Sequence, residues 1–392
     1  MTFLNAPFYP NGMSFYIRFF LACLLLLTAC ESKERNSKAL SGIESFDMEA
    51  PTRHDKQWMH DSAQVFFQKQ FNKVPFNGHF LVAKNGHILF SKSMGYADFE
   101  HKIKLSPLTP IHVASISKVA TALAVLRLVD QKKIKLNAKV TRYLKNFPFP
   151  EITVKSLLNH RSGLPYYGYF TNDACRRNSM LNNDSILEIM VKHKVSLNFP
   201  TNKKFAYSNT NFVILALIVE EVTGLPFPKA MQKLIFNPLK MEHSYVLSSY
   251  EDYKKAAKNY NANHFPYPFG YLDAIYGDKN LYTTAKDLMT MDKATCFNHF
   301  LSDSLRNQMY KGYSYEFPGT RNYGLGTRLK EQPGKKTFFF HTGWWHGNTG
   351  LYGSLRKDTI CIVAISNVFD RRVYNLNDLI LDFGNYCVRD SE

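Results

Sequence analysis

The stretch HVASISKVATALAVL, residues 112–126, holds a serine and a lysine three positions apart, Ser115 and Lys118. Residues with this spacing are neighbours on one side of a helix, so a helix here places a hydroxyl beside an amine. The first turns hold mostly small residues and the rest is rich in Leu and Val, which predicts a helix at about 113–131 that is buried on most sides. Burial disfavours the charged ammonium, so Lys118 is a candidate base for the Ser115 hydroxyl. Ser117 is one residue from Lys118 and faces elsewhere.

The same spacing occurs a second time, in Ser354-Leu355-Arg356-Lys357. This copy follows a run of strand-like residues and lies where a strand meets a turn. Alternate residues of a strand point to opposite faces, so positions i and i+3 do not meet there. The context therefore favours the first copy as the site.

Strand patterns occur near both ends of the chain, and helical patterns occupy the middle. Two strand-like runs flank Asn85-Gly86, a strong hairpin signal, after a helical pattern from about residue 57. Strands return near the C-terminus and precede a final helix at about 374–387. This order predicts an α+β (mixed α/β) fold, in which an antiparallel sheet flanked by helices carries an inserted all-helical lobe. The predicted bounds are about 57–105 and 305–390 for the sheet lobe and about 106–304 for the helical lobe.

Two helices in the middle of the chain have clear boundary signals. Thr153 is placed to cap a short helix that Gly163 ends. Gly224 ends a long apolar helix from about residue 211, which Ser208 or Asn209 is placed to cap.

Two further motifs follow Ser115 in the chain. Tyr207-Ser208-Asn209 has the form Y-x-N, and His341-Thr342-Gly343 ends an aromatic strand pattern. S-x-x-K with S-D-N and K-T-G is the motif set of class A β-lactamases and penicillin-binding proteins. With Y-S-N and H-T-G in the later places, the chain resembles the serine β-lactamase and penicillin-binding-protein superfamily, specifically its class C branch with DD-peptidases and related esterases. The resemblance covers nearly all of residues 57–390.

The resemblance implies a β-lactamase/transpeptidase-like fold and a serine hydrolase that forms an acyl-enzyme on Ser115. It implies that Lys118 and Tyr207 share the proton transfers, with either of them as the acylation base. Asn209 would orient Lys118 or bind the substrate amide. The backbone N–H groups of Ser115 and Trp344 would form the oxyanion hole, where the loss of one donor costs about 2.7–4 kcal/mol of transition-state stabilisation.

The H-T-G motif, His341, Thr342 and Gly343, is expected to contact substrate, and it departs from the family's more frequent K-T-G. A lysine there is a permanent cation suited to a substrate carboxylate, whereas a histidine is mostly neutral at pH 7. That weakens the case for β-lactams and leaves room for an ester, an amide or a D-amino-acid peptide of the cell envelope. Trp344 and Trp345 are bulkier than the small residues common there, which predicts a narrow acyl pocket.

Three alternatives accompany this interpretation. The first is a β-lactamase or DD-carboxypeptidase proper. The second is a relative that has lost catalysis and binds cell-wall peptide without turning it over, against which the intact Ser115, Lys118 and Tyr207 speak. The third is a metal hydrolase using His341 and His346, but the chain has no H-x-H or H-E-x-x-H partner set. No metal or cofactor is therefore expected.

The N-terminus resembles a bacterial export signal. Arg18 precedes an apolar run at 19–29, which is shorter than the roughly 20 residues that cross a bilayer. LTAC at 27–30 resembles a lipobox, in which Cys30 carries the lipid. Residues 1–30 are thus interpreted as a lipoprotein signal peptide and 31–56 as a flexible tether, which predicts a lipid-anchored protein of the cell envelope facing the periplasm or exterior. A plain secretory signal or a single-pass anchor is the alternative.

The chain carries a formal net charge of +17, and 45% of its residues are hydrophobic, a composition that argues against disorder. Basic residues are spread along the chain without a nucleic-acid motif, so no nucleic-acid partner is expected. The expected partners are a small-molecule or peptide substrate and the membrane, with the folded part a monomer. The cysteines beyond the leader, Cys175, Cys296, Cys361 and Cys387, form no C-x-x-C pair. Buried free thiols are the default expectation, and disulfides of unspecified pairing are the alternative for an exported protein.

Overall fold

Both ends of the folded chain contribute strands to one antiparallel sheet. The computed structural model describes residues 48–171, 180–296 and 300–388. Within these residues the main sheet has seven strands in the order β2-β1-β12-β11-β10-β9-β8, and two small sheets have the orders β3-β4 and β5-β7-β6. The strands are β1 Gly78–Lys84, β2 His87–Met94, β3 Tyr96–Asp98, β4 Ile103–Lys104, β5 Ile111–His112, β6 Tyr245–Val246, β7 Leu281–Thr283, β8 Arg321–Tyr323, β9 Arg328–Lys330, β10 Phe338–Trp345, β11 Asn348–Leu355 and β12 Ile360–Ser366.

The hairpin predicted at Asn85-Gly86 is confirmed. Both residues have positive φ, 55° and 72°, as a tight turn between right-twisted strands requires. β1 pairs with β2 on one side and, along its full length, with β12 on the other. The N-terminal hairpin therefore completes a sheet whose other strands come from the C-terminal part of the chain, as predicted.

Helices cover both faces of the main sheet. α1 and α11 pack on one face, in a core that includes Phe67, Phe80 and Ile362. α9 packs against β1 and β12, and Tyr352 on β11 donates a hydrogen bond to Asp292 of this helix (2.6 Å). The α-helices are α1 Arg53–Phe71, α2 Ser117–Asp130, α3 Val154–Leu158, α4 Tyr167–Thr171, α5 Asn183–Lys192, α6 Thr210–Thr223, α7 Phe227–Met231, α8 Tyr250–Lys255, α9 Ala285–Cys296, α10 Asp303–Met309 and α11 Asn377–Asp382.

The folded part begins earlier than residue 57. The Thr52 side chain accepts a hydrogen bond from the Asp55 N–H (3.0 Å) and caps α1, which therefore starts inside the segment 31–56 expected as a tether. Along α1 the side chain of Val65 is 63% exposed, whereas Phe66 and Phe67 are buried. The residues of α1 that precede residue 57 are polar, so hydrophobic periodicity in the sequence could not reveal this first turn of the helix.

The inserted lobe is not all-helical, contrary to the prediction. It contains the small sheet of β5, β7 and β6, which sets Ile111 opposite Thr283 and Tyr245 opposite Tyr282. Strands of two or three residues are too short to produce an alternating pattern. α9 also lies within the range predicted for this lobe, yet it packs on the main sheet.

Two of the boundary signals in the middle helices are confirmed, but α3 ends at Leu158, before the predicted stop at Gly163, and the last helix is shorter than predicted. Thr153 and Ser156 form a reciprocal capping box at α3, and Gly224 ends α6 in the left-handed conformation with φ 65°. α11 ends at Asp382 rather than near 387, and Gly384 follows with φ 151°.

Within the part of the chain that the structure describes, no single helix is long and apolar enough to cross a membrane, although one bent pair, Thr210–Thr223 with Phe227–Phe236 at 76°, meets both criteria together. Cys296 and Cys361 carry free thiols, as expected. Cys30, Cys175, the leader and residues 31–47 lie outside the described residues.

Candidate active site

The serine of the first motif lies in a short 3₁₀ turn, Ala114–Ile116, between β5 and α2. The Val113 N–H donates to the Leu281 carbonyl (3.0 Å), and the Ile116 N–H donates back to the Val113 carbonyl (3.1 Å). Ala114 has φ 47°, a conformation that costs a residue with a side chain about 1–3 kcal/mol. The strain presents Ser115 at the entrance of the buried helix α2.

Ser117 has a structural role. This agrees with the sequence analysis, which placed Ser117 on a different face from Lys118. Its hydroxyl donates to the Ala114 carbonyl (2.6 Å) and accepts from the Leu281 N–H (3.0 Å). These two bonds tie the strained turn to β7.

Lys118 is completely buried and lies next to Ser115, as predicted. Its Nζ donates to Ser115 Oγ (2.9 Å) and to the backbone carbonyl of Asp278 (2.7 Å). The ammonium also lies over the rings of Tyr207 and Phe212, 5.1 and 5.7 Å from their centroids. A donor held at this distance from a hydroxyl is placed to exchange a proton with it.

Tyr207 joins the same group of residues. Its hydroxyl is buried and makes no hydrogen bond of regular geometry to the described residues. Burial alone would raise its pKa, but the positive charges of Lys118 and Arg328 outweigh burial and lower the pKa below the ordinary value. The pocket therefore favours the phenolate more than water does, which suits a residue that takes and returns a proton.

Asn209 does not contact Lys118 as one of its two expected roles required. Its Oδ1 is buried and has no partner among the described residues, while the Asp278 carbonyl holds Lys118. Asn209 occupies the N-cap position of α6, one of the two residues predicted, but neither it nor Ser208 makes a side-chain cap bond there. The Ser208 hydroxyl donates instead to the Pro165 carbonyl (3.0 Å), and no cap bond comes from the Asn209 side chain.

His341 lies beneath the site rather than facing it. The side chain is completely buried, its Nδ1 lies 2.8 Å from the Thr342 carbonyl, and its Nε2 lies 3.2 Å from the Tyr323 hydroxyl. Burial lowers its pKa well below the ordinary value, and the nearby charges of Arg328 and Lys118 add to that effect. The neutral His341 side chain therefore packs inside the protein and stabilises β10. Its buried ring is not placed to contact a substrate.

Arg328 is a site residue that the sequence analysis missed. It lies on β9 opposite Phe340, and its guanidinium lies over the Tyr207 ring, 4.7 Å from the centroid. Its Nε is buried without a hydrogen-bond partner among the described residues. Arg328 and Thr342 line a cavity of about 770 Å³. No motif marks this arginine, because strand pairing alone brings it beside the H-T-G motif.

Gly343 lets β10 approach the serine turn. A Cβ at this position would lie 2.2 Å from the Val113 carbonyl oxygen, so no larger residue fits without a backbone shift. The next residue, Trp344, is 57% exposed, and Trp345 donates from Nε1 to Asp273 Oδ1 (2.6 Å). Trp344 therefore extends into solvent, and its bulk is not packed into the protein.

A second charged cluster lies behind Lys118. The Tyr167 hydroxyl donates to Asp278 Oδ2 (2.9 Å), and Lys279 Nζ donates to the Tyr167 hydroxyl (2.9 Å). Lys279 also lies 4.8 Å from the centroid of the Trp345 ring and 3.7 Å from Asp278 Oδ1. The cluster fixes the residue whose carbonyl holds Lys118.

The second S-x-x-K copy does not form a site. Ser354 is buried in β11, whereas Lys357 follows the strand end and is exposed. Among the described residues no group of three or more His, Cys, Asp or Glu side chains is arranged to hold a metal ion. His346 Nδ1 lies 3.2 Å from Asp273 Oδ2, and His341 bonds to neither of them.

Comparisons with known proteins identify the family and its fold. A family model described as Beta-lactamase matches residues 77–384. "Penicillin-binding protein 4*" of Bacillus subtilis (strain 168) is 29% identical over 314 residues, which are 74% of this chain and 68% of the relative. "Teichoic acid D-alanine hydrolase" of Staphylococcus aureus (strain NCTC 8325 / PS 47) is 33% identical over 256 residues, 64% of this chain and 62% of the relative. A crystal structure of a penicillin binding protein from Bacillus halodurans shares the fold, with a TM-score of 0.69 at 23% identity over 83% of this chain and 98% of that chain.

Proposed function

The chain belongs to the Beta-lactamase family of serine hydrolases, and from that premise we propose that Ser115 is its nucleophile. Ser115 Oγ attacks the substrate carbonyl and passes its proton to the Lys118–Tyr207 pair. The bond to the leaving group then breaks, the leaving group takes a proton from the pair, and an acyl-enzyme remains. Water attacks the acyl carbon, and Ser115 recovers its proton. The observation that carries this proposal is the 2.9 Å contact between Lys118 Nζ and Ser115 Oγ.

Tyr207 is the member of the pair best placed to hold the proton in transit. Its pKa is lowered by the Lys118 and Arg328 charges against the effect of burial. Lys118 Nζ, held by the Asp278 carbonyl, lies 2.9 Å from Ser115 Oγ and 5.1 Å from the centroid of the Tyr207 ring. The backbone N–H groups of Ser115 and Trp344 donate hydrogen bonds to the developing oxyanion, and Gly343 permits the close approach that this requires.

The substrate class proposed is an ester, amide or D-amino-acid peptide of the cell envelope. The names of two relatives, a penicillin-binding protein and a teichoic acid D-alanine hydrolase, support this class. Asn209, with an unpartnered buried oxygen, remains the candidate for binding a substrate amide.

Arg328 favours a second candidate, a β-lactamase or DD-carboxypeptidase proper. At the H-T-G motif, the buried His341 stands where many family members have a lysine, so the motif itself carries no cation. Arg328 on the neighbouring strand β9 supplies a positive charge instead. A guanidinium with an unpartnered Nε on a cavity beside Thr342 suits a substrate carboxylate. The argument from histidine against β-lactams is therefore weaker than the sequence suggested.

The test is acylation. The purified protein is treated separately with a fluorescent penicillin, a fluorophosphonate and a D-alanyl ester, and adducts are located by mass spectrometry. We expect labelling of Ser115 that disappears in Ser115→Ala and persists in Ser354→Ala, the matched serine of the second motif copy. Labelling by fluorophosphonate and ester without penicillin supports the esterase, and penicillin labelling supports the second candidate. No adduct and no turnover with any probe would contradict an acyl-enzyme and favour a binding protein that has lost catalysis.

The same proposal includes a lipid anchor at Cys30, in the envelope of a bacterium, with the folded part a monomer. The support is the leader pattern and the lipobox-like LTAC at 27–30. We expect the full chain to incorporate labelled palmitate and to fractionate with membranes, and Cys30→Ser to do neither. A Cys30→Ser protein that still fractionates with membranes would contradict the lipoprotein interpretation.

A further inference from the structure

A tyrosine from the C-terminal part of the chain holds the strand that carries the proposed oxyanion donor. Tyr374 ends the 3₁₀ turn Arg371–Tyr374, between β12 and α11. Its hydroxyl donates to the Gly343 carbonyl at 2.6 Å, although the two residues are 31 positions apart. Burial raises the pKa of Tyr374 to about 12, so the hydroxyl keeps its proton at neutral pH.

The acceptor of this bond belongs to a particular peptide group. The Gly343 carbonyl and the Trp344 N–H are the two ends of one trans peptide unit, and they point in opposite directions. A donor fixed on the carbonyl side therefore fixes the direction of the N–H on the other side. On its β9 edge, β10 has no strand partner beyond Phe340 among the described residues, whereas on its β11 edge the pairing continues through Gly343 and Trp344 to Trp345.

The serine turn approaches the same peptide unit. A Cβ on Gly343 would lie 2.2 Å from the Val113 carbonyl oxygen and 3.3 Å from the Ala114 Cβ. The residues just before Ser115 thus contact the residue whose carbonyl Tyr374 binds. A hydrogen bond to a carbonyl also polarises its amide, which strengthens the N–H as a donor.

We propose that Tyr374 is a positioning residue of the oxyanion hole, acting through the Gly343–Trp344 peptide. The role rests on the proposed function of Ser115. Tyr374 itself touches no reacting atom. Its hydroxyl holds the peptide plane and strengthens the Trp344 N–H toward the oxyanion, so its effect belongs to the transition state rather than to substrate binding.

The test compares two conservative variants, Tyr374→Phe and Tyr386→Phe. Tyr386 is the matched control, because its buried ring carries a hydroxyl that also donates at 2.6 Å, to Asp358 Oδ2 at a different place in the fold. For Tyr374→Phe we expect kcat toward the best ester or β-lactam probe to fall about tenfold, with KM within about twofold of wild type. Loss of a whole oxyanion donor would lower kcat about a hundredfold or more. The loss expected for Tyr374→Phe is smaller, because the Trp344 N–H remains in place and only its restraint by Tyr374 is removed. Tyr386→Phe should keep the wild-type kcat.

The acyl-enzyme gives a second readout that a structural role would not change. The infrared stretch of its isotope-labelled acyl carbonyl should move to higher frequency in Tyr374→Phe, because a weaker oxyanion hole polarises the carbonyl less. An unshifted stretch, equal kcat losses in the two variants, or a loss confined to KM would each overturn the role of Tyr374. A wild-type chain that forms no acyl-enzyme would overturn the proposed function and this role together.

Discussion

At the scale of single residues, the charges of Lys118 and Arg328 decide the direction of the pKa shift of Tyr207. Arg328 and Lys118 both lie over its ring, at 4.7 and 5.1 Å from the centroid, and the pKa of the phenol is lowered by their charges. Arg328 therefore has two separable effects. It lowers the pKa of the Tyr207 phenol, and in the proposed function it also offers a cation to a substrate anion in the adjoining cavity.

Arg328→Gln separates these effects. We expect the kcat/KM for a carboxylate-bearing substrate, such as a penicillin or a peptide ending in D-Ala, to fall at least tenfold more than that for an uncharged acetate ester, since the cation proposed to hold the carboxylate is lost. With the uncharged ester, loss of the charge raises the pKa of Tyr207, so the acidic limb of the pH–rate profile should move to higher pH. Equal losses with both substrates, measured by steady-state kinetics, would contradict a role in carboxylate binding.

The residues inside motifs could be predicted from the sequence, and those outside could not. Ser115 and Lys118 share one turn of chain, so their contact follows from local geometry. Arg328 reaches Tyr207 only through the register of β9 against β10, which no local pattern encodes. His341 was found by its motif, but its burial beneath Tyr323 depends on packing from distant segments.

At the scale of elements, the site depends on how closely β10 lies against the serine turn. Gly343→Ala would place a Cβ 2.2 Å from the Val113 carbonyl and push the strand or the turn away. We expect kcat to fall about a hundredfold or more, since the Trp344 N–H moves out of oxyanion reach, while the protein stays folded. The measurement is kcat with a probe ester beside a thermal unfolding curve.

Gly353→Ala is the control for that strand contact. It lies on β11 of the same sheet, and its Cβ would meet the Phe338 ring at 3.0 Å, away from the serine turn. It should change the melting temperature more than kcat. Similar losses of kcat in both variants would contradict the specific role of the contact.

Long elements were predictable, and short ones were not. The apolar spacing and the Gly224 stop locate α6, and Asn85-Gly86 locates the first hairpin, because each signal lies within a few residues. β5, β6 and β7 have two or three residues each, and pairing across the inserted lobe forms them. Leu281 of β7 forms hydrogen bonds with Val113 and Ser117, on either side of Ser115. The strands closest to the proposed nucleophile were therefore the hardest to predict from the sequence.

At the scale of the whole molecule, buried histidines make stability sensitive to acid. Burial lowers the pKa of four of them below 6.5, His79, His112, His160 and His341. Above pH 6.5 they are neutral in both the folded and the unfolded states. Below it, the unfolded chain binds protons that the folded chain does not, so the free energy of unfolding falls.

His112 gives the measurable case, because its folded pKa is about 4. Between pH 6.5 and 4 its share of the loss reaches about 3 kcal/mol. We expect His112→Asn to have a shallower decline of unfolding free energy in urea titrations over this range. The exposed His54 provides the control, and His54→Gln should keep the wild-type slope. If the unfolding free energy of the wild type, His112→Asn and His54→Gln declined equally with falling pH, the role assigned to His112 would be contradicted.

The pairing of β1 with β12 limits how early during synthesis the protein can complete its main sheet. Gly78 lies opposite Ser366, so the central strands of the sheet close only when nearly the entire chain is available. A nascent chain that already carries Ser115 and Lys118 lacks β10, and with it Gly343 and the Trp344 amide. Contacts of such long sequence separation form slowly, and until they form, unpaired strand edges are exposed. An incompletely synthesised chain therefore carries Ser115 without the proposed oxyanion donor, so we expect activity to appear only after β10 has joined the sheet.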